Sequence, residues 1–284
     1  MARRREIRVG ETRQARVASE VEANRRNWEA RVDTHVASAF YDVEGFVRSR
    51  KPRLDAIALA EVGDVAGKDL LHLQCHIGID TLSWALLGAR VTGVDFSPAA
   101  LRVGRDLAGR LGIDADFVES DVSAVDLDRR YDVVFASHGV LCWVPDIHRW
   151  VQTAARHLRP GGYLYVLDGH PVAQLFDADD PHVNHLRVHP EQHYFRRQPR
   201  RSVWDGTYVD SEARLPHPVT YQWMHPIGEI VQATRDAGLD VELLHEFPVD
   251  VWRRFPFMTH DGEWWRISGD PIPLLFSLRA RRVA

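Results

Sequence analysis

Two aspartates and two histidines stand where short apolar runs end. Asp95 closes ARVTGVD (89–95), Asp121 follows ADFVES (115–120), His138 follows YDVVFAS (131–137) and His170 closes YLYVLDGH (163–170). An aspartate at the end of a buried run can accept hydrogen bonds from both hydroxyls of a ribose, and a second can meet an amino group. A histidine in such a place can take a proton from a nucleophile, or can merely pack and donate one hydrogen bond. A further run, KDLLHLQ (68–74), enters the turn LLHLQCHIG (70–78), and IDTLSWALLG (79–88) leaves it as a helix. A dinucleotide site needs glycines there, because the backbone must approach a pyrophosphate at a helix N-terminus. Gln74 and His76 put side chains into that space, and Gly78 alone remains. A ligand with a ribose and no phosphate meets no such demand.

These residues need a frame that gathers strand ends. SPAALRVGRDLAGRLG (97–112) carries helix marks: Ser97 as N-cap, Pro98 at the first helical position, Gly112 after the end. Residues 146–158 place Ile147, Trp150, Val151, Ala154 and Leu158 on one helical face, RPGG (159–162) reads as a turn, and PIGEIVQATRDAG (226–238) is a further helix. LDVELLHEF (239–247) and PLLFSLRARR (273–282) are the last strands. Strands alternating with helices predict an α/β fold: a doubly wound, mostly parallel seven-stranded sheet with helices on both faces. Its ligands sit beyond the carboxyl ends of the strands.

The expected organisation is a mobile leader (1–19), an N-terminal helical lid (20–60), a cofactor-binding core (61–171), an inserted cap (172–224) and the C-terminal part of the core sheet (225–284). The leader is basic with no apolar segment behind it. The lid shows Trp28, Val32, Val36 and Phe40 at a spacing of four, with Arg25, Arg26 and Arg31 mostly elsewhere. The cap breaks the rhythm with Pro, His and Arg, and carries hairpin-like pieces at 202–209 and 218–224.

Of the 284 residues, 45% are hydrophobic and 27% charged, with a net charge of −4. That balance suits a globular chain and argues against one that lives on nucleic acid. No apolar run approaches the ~20 residues of a membrane span. Two cysteines, Cys75 and Cys142, are too few for a disulfide framework, so a cytoplasmic setting is expected.

Adenosine without phosphate, bound at strand ends, points to S-adenosylmethionine. Residues 68–170 resemble the core of class I S-adenosylmethionine-dependent methyltransferases. LLHLQCHIG resembles that family's VLDLGCGTG, with His72, Gln74 and His76 replacing the acid and the first two glycines. VTGVDFS, FVESDV, YDVVFASHGVLCW and LRPGG resemble its later motifs in order. LQCHIGIDTLSWALLGA with WEARVDTHVASAFYD is similar to a bacterial branch of the family. The resemblance implies a Rossmann-like core and cofactor contacts at Gln74, Cys75, His76, Gly78 and Asp80. Asp95, with Phe96 and Ser97, would hold the ribose; Asp121 and Val122 would lie near adenine; Ser137 would close the fourth strand. It also implies that the N-terminal segment covers the cofactor, with Trp28, His35 and Tyr41 in contact.

The expected activity is in-line methyl transfer to an O, N or C nucleophile of a small molecule. His138, His170 and Tyr41 are the candidate catalytic residues. No Asn/Asp-Pro-Pro-Tyr/Phe motif follows the fourth strand, which weighs against methylation of nucleic-acid bases. A non-catalytic cofactor-binding module and a nicotinamide oxidoreductase are the alternatives; the missing glycines disfavour the second. His182, His185, His189 and His193 suggest a metal site, but Pro190 interrupts their spacing and no metal is expected. YFRRQPRRSVW (194–204) interleaves aromatics with arginines and reads as a solvated loop, with contact to an anionic substrate or RNA as the alternative. No membrane partner is expected, and the chain is read as a monomer or homodimer.

Overall fold

The computed structural model describes residues 2–178, 180 and 182–283. Three helices precede the sheet: α1 (Ala2–Ala37), α2 (Val43–Ser49) and α3 (Ala56–Val62). Then β1 (Asp69–Leu73), α4 (Ile79–Leu86), β2 (Arg90–Asp95), α5 (Pro98–Leu111), β3 (Ala115–Glu119), β4 (Tyr131–Ser137), α6 (Ile147–His157) and β5 (Leu158–Gly169) alternate. The inserted stretch contributes β6 (Arg200–Val203) and β7 (Val219–Gln222). The chain closes with α7 (Ile227–Asp236), β8 (Leu239–Phe247), three short strands β9 (Val249–Asp250), β10 (Thr259–Asp261) and β11 (Trp264–Arg266), and β12 (Leu275–Arg282).

The main sheet has the order β3-β2-β1-β4-β5-β12-β8. Its first five strands run parallel, and β12 is antiparallel to both β5 and β8. Every residue of β1 is buried, as a strand covered on both faces requires. The two-residue period sorts its side chains. Leu71 and Leu73 join Trp150 and Val151 of α6 and Ile230 of α7, while Leu70 faces Trp84 of α4 and Val62 of α3. Ser97 caps α5 by accepting from Ala100 N at 3.1 Å, and Gly112 ends it at φ +63°. At the amino end of the sheet, buried Asp69 receives Arg90, Arg129 and Arg159, which hold its carboxyl well below the usual range.

Four expectations change. The leader is not separate: α1 runs unbroken from Ala2, with Glu20 ion-paired to Arg16 and Glu22 to Arg25 and Arg26 at helical spacing. The buried side of α1 is not the apolar stripe alone: Val32 and Val36 do pack on the core, but a polar seam is buried beside them. It consists of Glu20, Asn24, Asn27, Arg31 and His35 alongside Val32, whereas Phe40 lies past the helix end and is 53% exposed. Hydrogen bonds explain this seam: Asn24 exchanges two with the backbone of Tyr221, and Asn27 donates to the His217 carbonyl. RPGG is a kink inside β5, with Gly161 at φ +79°, rather than a turn before it. Residues 225–284 are not all core sheet, because β9, β11 and β10 form a separate antiparallel sheet. In the cap, the two hairpin-like pieces pair with each other as β6 and β7.

Candidate functional site

The turn after β1 keeps a glycine-type path without the glycines. Gln74 and His76 hold φ +57° and +51°, in the left-handed region, and Gly78 holds φ +79°. Such positions cost about 1–3 kcal/mol each for a residue with a side chain, and persist where the surroundings fix them. Gln74 Nε2 donates to the Val140 carbonyl and its Oε1 accepts from Trp150 Nε1, each at 2.9 Å. His76 N donates to Asp95 Oδ2 at 2.9 Å. At Gly78 a Cβ would stand 2.7 Å from the Phe117 ring, so no side chain fits. Cys75 is buried between these positions, and burial pushes its thiol far up, which removes it as a nucleophile.

A cavity of about 310 Å³ opens over this turn. β2 and β4 are the two neighbours of β1, so Asp95 and His138 flank the turn from either side. The Asp95 carboxylate accepts from the backbone N–H groups of His76 and Ser97. Burial nevertheless raises it to about 6, against those hydrogen bonds. On the other side, His138 sits at φ +52° with Nε2 3.0 Å from Asp55 Oδ2. Burial favours the neutral imidazole, but the hydrogen bond and charge of Asp55 outweigh it, and His138 ends above its ordinary value. Asp55 feels burial upward, yet His138 brings it below the ordinary range. Asp55 also caps α3 through Ala58 N at 2.7 Å. Buried Asp168 accepts from the N–H groups of Gly139, Val140 and Leu141, which fixes the loop after His138. Asp80 is raised by burial and accepts from the Ser137 hydroxyl at 3.0 Å.

The N-terminal segment forms the cavity's outer wall. The Trp28 ring lies 5.5 Å from His76 and 5.4 Å from Trp143. Tyr41 lines the cavity, its hydroxyl hydrogen-bonded to that of Tyr208 from the cap. Glu29 accepts from the Ser97 hydroxyl and from Ala99 N, at the N-terminus of α5.

Of the residues singled out in the sequence, Trp28, Tyr41, Gln74, Cys75, His76 and Gly78 line this cavity, as do Asp80, Asp95, Phe96, Ser97, Ser137 and His138. Four do not. His35 stands behind His76, its Nδ1 3.2 Å from His76 Nε2. His170 is turned away at the end of β5: its Nδ1 accepts from Val172 N, and its Nε2 lies 2.7 Å from Glu246 on β8. Asp121 instead borders a wider adjoining cleft of about 920 Å³, which Phe96 also lines, and accepts from Ser123 N. Val122 is a core residue. The four cap histidines fall on chain that forms no helix, and among the described residues no group of three or more metal-type ligands gathers.

Sequence reading missed Glu29, Arg53, Asp55, Tyr208 and Trp252. Pro52 and Asp55 were signals that the helix read over 20–60 must break and restart, with Asp55 as N-cap. Trp252 arrives on the insertion between β8 and β12, which nothing local marks as part of a site.

Residues 71–166 match the family model described as a methyltransferase domain. A ubiquinone biosynthesis O-methyltransferase from Proteus mirabilis is 32% identical over 149 residues, which span 48% of this chain and 60% of that protein. The chain therefore spans less than two thirds of that relative's length. A solved S-adenosylmethionine-dependent methyltransferase from Mesorhizobium loti superposes with a TM-score of 0.56 at 20% identity, over 84% of this chain and 100% of the other. One from Clostridium acetobutylicum gives 0.55 at 11% identity, over 85% and 96%. These structural likenesses establish the fold.

Proposed function

We propose that this chain, which carries a class I S-adenosylmethionine-dependent methyltransferase domain, transfers a methyl group from that cofactor to an oxygen, nitrogen or carbon of a small molecule. One observation carries the reading. A half-buried carboxylate, Asp95, and a half-buried imidazole–carboxylate pair, His138 and Asp55, face one cavity across a turn whose first two glycine-type positions carry the side chains of Gln74 and His76.

The residues fit the cofactor. Asp95 has accepting capacity left beyond its two backbone bonds, and would take the ribose hydroxyls. Arg53, on the cavity wall, would face the methionine carboxylate; its guanidinium is already oriented by Asp42 at 2.8 Å and the Tyr41 carbonyl at 2.6 Å. When bound, the cofactor supplies a sulfonium methyl that is already a strong electrophile. The chain's own work is placement and the exclusion of water. Trp28, Tyr41 and Tyr208 close the cavity from outside. With its Nε2–H donating a hydrogen bond to Asp55, neutral His138 keeps a lone pair on Nδ1, which is buried without a partner, and can hold the acceptor's proton there. Asp55 positions that ring. We also propose a cytoplasmic setting, supported by two free thiols, and a monomer or homodimer.

The test is a pair of measurements. S-adenosylhomocysteine should raise the melting temperature and NAD should not, because a ligand that binds only the native state stabilises it. Turnover to S-adenosylhomocysteine against a panel of small-molecule acceptors then identifies the nucleophile. Stabilisation by NAD alone would overturn the reading.

A further inference from the structure

α1 buries one cation without pairing it. Arg31 is 6% exposed, and among the described residues it has no ion-pair partner; its Nε is buried without a hydrogen bond. Arginine is almost never buried this far unless paired. Two arginines that are less buried than Arg31 are nonetheless paired, Arg53 with Asp42 and Arg254 with Asp250, each at 2.8 Å. The guanidinium carbon of Arg31 lies 4.7 Å over the Trp28 ring. A cation–π contact answers only part of the charge.

The surroundings say where the missing charge belongs. Arg31 lies within electrostatic range of Tyr208 and Tyr41. Both tyrosines and Trp28 line the cavity, so Arg31 stands one layer behind its aromatic wall. Glu29, two residues earlier, turns instead to Ser97 and the Asp95 side. Adjacent faces of one helix thus present a negative charge toward β2 and a positive charge toward the cap.

We propose that Arg31 is the counter-charge for an anionic group on the methyl acceptor, a carboxylate or a phosphate, drawn in past Trp28, Tyr41 and Tyr208. The acceptor's role rests on the methyl-transfer reading; the demand for an anion rests on Arg31 itself. A planar guanidinium takes either anion with two parallel hydrogen bonds.

The test compares wild type with Arg31→Met, Arg31→Gln and Arg31→Lys. Benzoate, 4-hydroxybenzoate, phenyl phosphate, inorganic phosphate and neutral benzyl alcohol serve as probes, read by thermal shift and calorimetry with and without S-adenosylhomocysteine. At least one anion should stabilise wild type, and its affinity should fall roughly ten- to a hundred-fold in Arg31→Met and Arg31→Gln, with partial recovery in Arg31→Lys. Whether a carboxylate or a phosphate does so separates the two sources. Benzyl alcohol and S-adenosylhomocysteine should bind all four proteins alike. Equal anion shifts in wild type and both neutral variants, zero for every anion included, overturn the proposal. A parallel loss of S-adenosylhomocysteine affinity overturns it too, by handing the charge to the cofactor. If S-adenosylhomocysteine binds none of the proteins while anions still discriminate, the anion site stands and the methyl-transfer reading falls.

Discussion

His35, near the end of α1, and His76, in the turn after β1, face each other with Nδ1 and Nε2 3.2 Å apart. Burial pushes them down to about 2 and about 3, with the Arg31 charge acting the same way on both. Neutral, one ring can donate while the other accepts; with either protonated, the pair sits charged beside a buried arginine.

A pH dependence of folding follows from that pair. Both folded values lie below the unfolded value of about 6.5, so the stability they confer is present above it and is lost as pH falls from there. Each histidine contributes a slope of about 1.4 kcal/mol per pH unit in that window. Urea unfolding of wild type and His35→Phe between pH 6.5 and 5 isolates one of them. The variant's stability should fall less steeply by about that slope, and parallel curves would count against the neutral pair.

Asp95 is shifted the other way, upward. Its carboxyl sits at about 6 in the folded chain, and ribose hydroxyls donate best to the charged form. Affinity for S-adenosylhomocysteine should fall about tenfold per pH unit below that value. Asp95→Asn should lose about 1.5–3 kcal/mol of binding at neutral pH and flatten the dependence. Calorimetry across pH 5 to 8 reads both, and a variant that binds as tightly as wild type would remove Asp95 from the ribose.

Turnover should report His138. A base must be unprotonated, and Asp55 holds the His138 imidazolium above its ordinary range, so the rate should climb as pH rises through a midpoint above about 6.5. His138→Gln should erase that limb. Asp55→Asn removes the opposing charge and leaves burial in command, so its midpoint should move to lower pH. A wild-type profile that is flat, or unchanged by both substitutions, assigns His138 to packing.

Glu29 ties the outer helix to the N-terminus of α5, beside Asp95. Glu29→Gln weakens its bonds to Ser97 and to the N-terminus of α5, worth about 0.3–1 kcal/mol for a carboxylate in such a place. Removing its charge also eases Asp95, so the midpoint of cofactor binding should move to lower pH. Hydrogen exchange over residues 25–45 should quicken in the variant. Unaltered exchange together with an unaltered midpoint would mean that Glu29 is an ordinary surface contact.

The parts of the site that neighbour strand ends in the chain were legible before the fold was known. Gly78, Asp95, Ser97 and His138 each follow a buried run, and the two-residue and 3.6-residue periods locate those runs. The outer wall was not legible, because α1 buries a polar seam whose partners lie elsewhere. Asn24 meets the backbone of Tyr221, 197 positions away in the chain, and no pattern in residues 20–37 announces that pairing. Asp55 was hidden for a similar reason, since its partner His138 lies 83 positions on. The glycine departures at 74 and 76 read correctly as a change of side chain. They did not reveal that the backbone keeps its left-handed path, which Gln74 and His76 sustain through contacts with Val140, Trp150 and Asp95.

Among its contacts, α1 and the turn after it reach Ser97 through Glu29, the β7 backbone through Asn24, and Tyr208 through Tyr41. One segment therefore spans from the Asp95 side of the cavity to the cap. If the exchange of cofactor and that of acceptor both require this segment to move, loading and unloading become a single gated event. Under the methyl-transfer reading, catalytic traffic then slows with solvent viscosity, and the strength of the base matters only while the gate is shut.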